Sequence, residues 1–231
     1  MKTSRTIAGI DFILVRNKGQ RSLRVHLDSS GNPIVSAPYH ASLKQIDEFV
    51  TQSADWINAY RKKVAIHTWQ TGDFVPYLGR RLSLQVRRGT YSAYKIDDDT
   101  LIITTITDMV EDVKSIIRQL YIDTVKDIMK DRVPYWCSKL KISIPKFDVN
   151  KAKGKWGVCY PAEKRLYLSY MCAILPTRLI DMTVLHESCH LIYGGHGHDF
   201  WHLMSIHMPD LEYRKQELSQ ITKSGWAMNI V

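Results

Sequence analysis

The chain has 231 residues and a mass of 26.7 kDa, with 45% hydrophobic and 24% charged residues and neither a low-complexity tract nor a repeat at a fixed period. These values exclude a disordered or fibrous protein and leave one large domain or two small ones, long enough to bury about 70% of the surface an unfolded chain exposes. Thirty-two Lys and Arg against 23 Asp and Glu give a net charge of +9, which favours anionic partners such as nucleic acid, nucleotides or acidic peptides without choosing among them.

The basic start is interrupted by Asp11, and no small-residue cleavage site follows, so it reads as a first strand and not as a signal peptide. Residues 7 to 38 form a β-region: "IDFILVRN", "RSLRVHLD" and "PIVSAP" are short runs rich in β-branched residues, with "DSSGN" as a turn. The period then changes. Leu43, Ile46, Phe49, Val50, Ile57 and Tyr60 recur at three and four, which predicts one amphipathic helix, opened by a capping box of Ser42 and Gln45.

Strands resume from Tyr77, where Leu82, Leu84 and Val86 alternate with polar residues, and Asp97 to Asp99 form a turn. Asp108 with Glu111 predicts a cap for a long helix carrying Val113, Ile116, Ile117, Leu120, Val125 and Met129, ending near Pro134 or running on to Trp136. "KISIPKFDV" and "KAKGKWGVCYPAEKRLYLSY" read as strands with a turn at Pro161 to Lys164. A further helix starts at Pro176 and is expected to stop at Gly194-Gly195, followed by one or two closing helices. The fold class is α+β: an N-terminal β-rich half to about residue 100, packed on a C-terminal half of long helix, small sheet and histidine helix.

No apolar run approaches the ~18 residues that a membrane span requires. Cys137, Cys159, Cys172 and Cys189 form no C-x-x-C pair, so the expectation is a cytoplasmic, reduced protein without membrane contact.

Five of the nine histidines fall between Val184 and Met204. His186-Glu187-x-x-His190 begins the cluster on a helix, where four residues turn through about 400° and leave both rings about 40° apart on one face. Both can reach one metal ion, while Glu187, at the flank, can hydrogen-bond a water there and act as general base. Such a site needs a third protein ligand and an open fourth position. His196 is the expected third ligand, approaching from the turn after the helix, with His198 as its rival. Asp199 or Asp181 could orient a ligand ring through its second nitrogen. Cys189 lies about 100° off the ligand face and reads as a packed residue.

"KWGVC" (Lys155 to Cys159), "RLYLSYMCAILPTRLIDMTVLHESCH" (Arg165 to His190) and the H-x-x-x-F-W of His196, Phe200 and Trp201 resemble the YgjP-like metallopeptidase family, a relative of SprT-like and WLM domains. The front half is similar too, through "RSLRVHLDSSGNPIVSAPYHASLKQIDEFVTQSADWI" and "YLGRRLSLQV". The resemblance implies a minimal zincin-like domain over 101–231, with residues 1–100 as a β-rich subdomain, and a small sheet whose edge strand takes an extended peptide. It assigns His186, His190 and His196 as ligands of one zinc ion and Glu187 as the base. The family's usual W-G-S-C, H-E-L-A-H and L-N stand here as W-G-V-C, H-E-S-C-H and Leu168-Ser169, and none of these departures removes a ligand.

Lys155, Trp156 and Gly157 are expected beside the metal as substrate contacts, and Tyr193, His198 or Tyr213 as oxyanion donor. The leading reading is a zinc-dependent peptidase acting on a peptide or protein substrate. One alternative is a metal-dependent nucleotide pyrophosphohydrolase in which Lys155 or Arg165 clamps phosphate. Another is a DNA- or protein-associated module whose zinc is structural or whose proteolysis depends on a partner.

Overall fold

The computed structural model describes residues 2–27, 32–63, 68–107, 109–151 and 154–223. Among these residues the protein is α+β, with six α-helices and three small sheets, divided into two compact units, 1–67 and 68–229.

The first unit opens with β1 (Lys2–Ile7) and β2 (Ile10–Asn17), an antiparallel pair where a single first strand is expected from the sequence. The hairpin is closed by Ala8 and Gly9, at φ 50 and 74, the positive values that a tight two-residue turn demands. With β3 (Arg24–Leu27) and β4 (Pro33–Pro38) they form one sheet in the order β1-β2-β4-β3. Most of the "DSSGN" turn lies outside the described residues.

Two helices follow, α1 (Leu43–Gln52) and α2 (Ala54–Lys63), in place of the one expected. The break falls at Ser53, whose hydroxyl bonds the Phe49 carbonyl at 2.8 Å, a local bond that competes with continuing the helix. The Ser42–Gln45 capping box at the start of α1 is present. Ile10, Phe12, Leu14 and Val35 from the sheet and Ile46, Val50 and Ile57 from the helices share one buried core.

The second unit begins with β5 (Phe74–Tyr77), β6 (Arg80–Arg88), β7 (Ala93–Asp97) and β8 (Thr100–Thr105), ordered β5-β6-β8-β7. This sheet packs on α3 (Val110–Leu140): Tyr121 donates to the Pro76 carbonyl and Tyr94 to Asp123, each at 2.6 Å. The second sheet and α3 thus belong to the same compact unit, which begins at Thr68.

Asp108, the expected cap of α3, lies outside the described residues. At the N-cap itself Met109 makes no side-chain cap bond, and its N–H donates instead to the Thr107 hydroxyl at 3.2 Å. α3 runs past Pro134 and stops at Lys141, which takes the left-handed conformation at φ 55. An interior proline costs about 3 kcal/mol. Burying Trp136, Cys137 and Leu140 on the turns that follow offsets it.

The third sheet has the order β10-β11-β9. β11 (Arg165–Ser169) lies in the middle, parallel to β9 (Lys146–Asn150) and antiparallel to the short β10 (Gly157–Tyr160). Against β10 and β11 packs α4 (Thr177–Cys189), buried nearly all round. α5 (His198–His207) and α6 (Leu211–Lys223) complete the unit. No described helix is long and apolar enough to cross a membrane.

Candidate metal centre

α4 is held on most sides by Leu179, Ile180, Met182, Val184 and Leu185, so its C-terminal turn is presented from a rigid element. It ends at Cys189 with His190 as C-cap, four residues before Gly194, and not at the Gly194-Gly195 stop expected from the sequence. The reason is local. Tyr193 N–H returns to the Cys189 carbonyl at 2.9 Å, and the Tyr193 carbonyl in turn lies 3.1 Å from Nδ1 of His190, so the chain closes a tight turn before the glycines. Neither glycine has a positive φ.

That turn carries His196 back to the helix. The Nε2 atoms of His186, His190 and His196 form a triangle with edges of 3.2, 3.2 and 3.0 Å. Nitrogens bound tetrahedrally to zinc at ~2.0–2.1 Å stand about 3.3–3.4 Å apart, so the triangle fits such an ion with small adjustment. Bonding of His190 Nδ1–H to the Tyr193 carbonyl leaves its Nε2 lone pair facing the other two rings.

Burial pushes the His186 ring down to about 4, with His190, His196 and Lys215 adding repulsion, and His196 is lowered by burial and by His190. Neutral rings are what a metal ligand requires. Phe200, 1% exposed, packs at 4.7–5.0 Å from all three imidazoles, and Trp201 stacks on His196 at 5.5 Å. The first turn of α5 thus walls the cluster with rings that offer no competing acceptor.

Glu187 is 6% exposed. Burial pushes its carboxyl up to about 7, against an opposing pull from Lys155. It opens on a cavity of about 510 Å³ that is also lined by His186, Trp156 and Gly157. Gly157 is explained by close approach: a Cβ there would stand 2.7 Å from both Cγ and Oε1 of Glu187. Trp156 is half-buried and donates Nε1–H to the Thr222 hydroxyl at 3.0 Å. Lys155 is exposed and stays out of the cavity wall, acting on Glu187 through charge alone.

The other expected site residues lie elsewhere. The His198 side chain is 90% exposed and stacks on His202, while Nδ1 of His198 faces Asp199 at 3.3 Å, so neither residue reaches the triangle. Asp181 accepts from Arg132 Nε at 2.6 Å and Trp136 Nε1 at 2.7 Å, which ties it to α3 and not to a ligand ring. The orienting acceptor at His190 is the backbone carbonyl of Tyr193, and Tyr193 and Tyr213 do not line the cavity. Cys189 is fully buried, and burial pushes its thiol up to about 12.

Asp181→Ala is therefore expected to lower unfolding stability by about 1–3 kcal/mol, through two orphaned donors, and to leave metal affinity unchanged. Urea unfolding and a metal titration of the same variant check both halves.

Sequence reading overlooked Lys215. Its Nζ lies 4.2 Å over the Trp201 ring, and it lines the same cavity from α6. A lysine on a helix 25 residues beyond His190 carries no local signal of that placement.

The model of the YgjP-like metallopeptidase domain matches residues 21–221. The chain belongs to the YgjP-like metallopeptidase family. No curated protein matches it. Family membership makes the second unit's site that of a metallopeptidase-type hydrolase, with a histidine triad able to hold a metal ion.

Proposed function

We propose that the protein is a zinc-dependent peptidase in which His186, His190 and His196 hold one zinc ion and Glu187 is the general base. The convergence of three Nε2 atoms next to a buried carboxylate carries this reading. Three neutral imidazoles suit zinc and leave a fourth position open. When bound, zinc supplies a Lewis acid that polarises a carbonyl and brings the pKa of water to about 7.

The chain's own groups do the rest. Glu187 takes a proton from the attacking water as its oxygen bonds to the carbonyl carbon, then delivers that proton to the amine nitrogen as the C–N bond breaks. A carboxyl held near 7 by burial suits both transfers. β10, at the edge of its sheet with Gly157 against Glu187, offers backbone to an extended peptide. The cavity's largely apolar wall, together with the lack of a phosphate-cradling glycine loop in the sequence, supports peptide over phosphoanhydride chemistry.

The test is metal analysis of the purified protein with peptide and nucleotide hydrolysis assays, each run with and without chelator. One zinc per chain is expected, with peptide cleavage abolished by chelator and restored by added zinc. Nucleotide cleavage in place of peptide cleavage, or a protein that takes up no zinc, would overturn the reading.

A further inference from the structure

We infer that the cavity beside Glu187 is a recess for one large apolar side chain of the peptide substrate, an inference that rests on the peptidase reading above. Its walls are Trp156, Met182, Trp201, Met204, Leu211 and Leu218, brought from the β10 approach, α4, α5 and α6. Glu187 and His186 line it too, so a side chain entering the recess belongs to a residue next to the scissile bond.

Four of the polar side chains in the wall, Thr183, Thr222, Trp156 and Lys215, are already engaged. The Thr183 hydroxyl donates to the Leu179 carbonyl at 2.9 Å and that of Thr222 to Leu218 at 2.8 Å, so both threonines turn their hydroxyls to their own helices. Trp156 Nε1–H is held by Thr222. Lys215, the lining cation, is paired with Glu212 at 2.8 Å and sits on the Trp201 face. A polar uncharged side chain would lose water and find few partners. A basic one would engage Glu187, the base itself, and an acidic one would compete with Glu212 for Lys215. Leucine, methionine and phenylalanine meet none of these penalties and gain contact area.

Selection of this kind reaches about 10-fold or more for each methylene that a pocket accommodates. At least ~100-fold is therefore expected between leucine or phenylalanine and glycine at the residue that enters.

The experiment has two arms on the zinc-loaded full chain. Peptides varied at the residues flanking the scissile bond give relative kcat/KM. N-acetyl dipeptide amides carrying Phe, Leu, Gly, Asp or Lys, titrated against amide and indole NMR shifts, give binding independently of turnover. Phe and Leu ligands are expected to shift the Trp156 and Trp201 indole signals, with Gly and Asp ligands at least ~10-fold weaker. Two wall variants check the site: Leu218→Glu should weaken Phe and Leu binding, and Ser219→Trp should fill the recess and move preference to Gly and Ala. Their zinc content reports that the site still folds.

Equal binding of Gly, Asp and Phe ligands, or shifts confined to residues away from the cavity, would overturn the recess. Apolar ligands bound there but never cleaved would support the recess and sink the peptidase reading. Peptides cleaved without regard to side chain would sink the recess alone.

Discussion

Glu187→Gln is expected to lower kcat for peptide hydrolysis by about 10²–10⁴-fold, the range over which a positioned general base acts. Glutamine keeps the shape of a side chain that is 6% exposed, so the packing of α4 should not change. What it lacks is an oxygen able to accept a proton and return it. His186, His190 and His196 are untouched, and the variant should still bind one zinc per chain with KM little altered, the signature of a contribution made in the transition state. Steady-state kinetics with zinc analysis on one preparation decides it. Activity near that of the natural protein would remove Glu187 from the chemistry.

The second large effect is at Gly157. A methyl group there would lie 2.7 Å from both Cγ and Oε1 of Glu187 and 2.9 Å from Cδ, closer than atoms can approach. Something must move, and the carboxylate arm has fewer restraints than β10, which is paired to β11 through Gly157 and Leu168. A displacement of about 1 Å at a reacting group costs roughly 10² in rate. Gly157→Ala should therefore lose about that factor in kcat while zinc content and thermal unfolding stay close to those of the parent. Loss of fold would show instead that the strand yields. Unchanged kcat would mean that the carboxylate works from another position.

These two residues also separate what is readable in one dimension from what is not. His186, Glu187 and His190 could be placed on one helical face from spacing alone, because 3.6 residues per turn is a property of the backbone and not of its surroundings. His196 was within reach by chain length. The strands from Ile10, Pro33 and Arg165, the Ser42–Gln45 cap and the long helix from Val110 followed from alternation, periodicity and local hydrogen bonding in the same way.

Where elements stop and what they meet was decided in three dimensions. α3 continues through Pro134 because Trp136, Cys137 and Leu140 find a core to enter, which no local rule records. α4 ends early because a tyrosine carbonyl closes a turn onto His190, and a backbone carbonyl leaves no trace in residue type. Asp181 had the right chemistry to orient a ligand ring and was claimed by Arg132 and Trp136, residues 49 and 45 positions away.

Sequence by itself determined the spacing of His186, Glu187 and His190 on one helical face and the α+β class, since both rest on backbone periods and residue chemistry. Only tertiary structure decided the glycine seat for Glu187, the ring wall of Phe200 and Trp201, and the recess that α6 closes. Each of these is a contact between elements far apart along the chain, set by which apolar faces pack together and not by any residue's immediate neighbours.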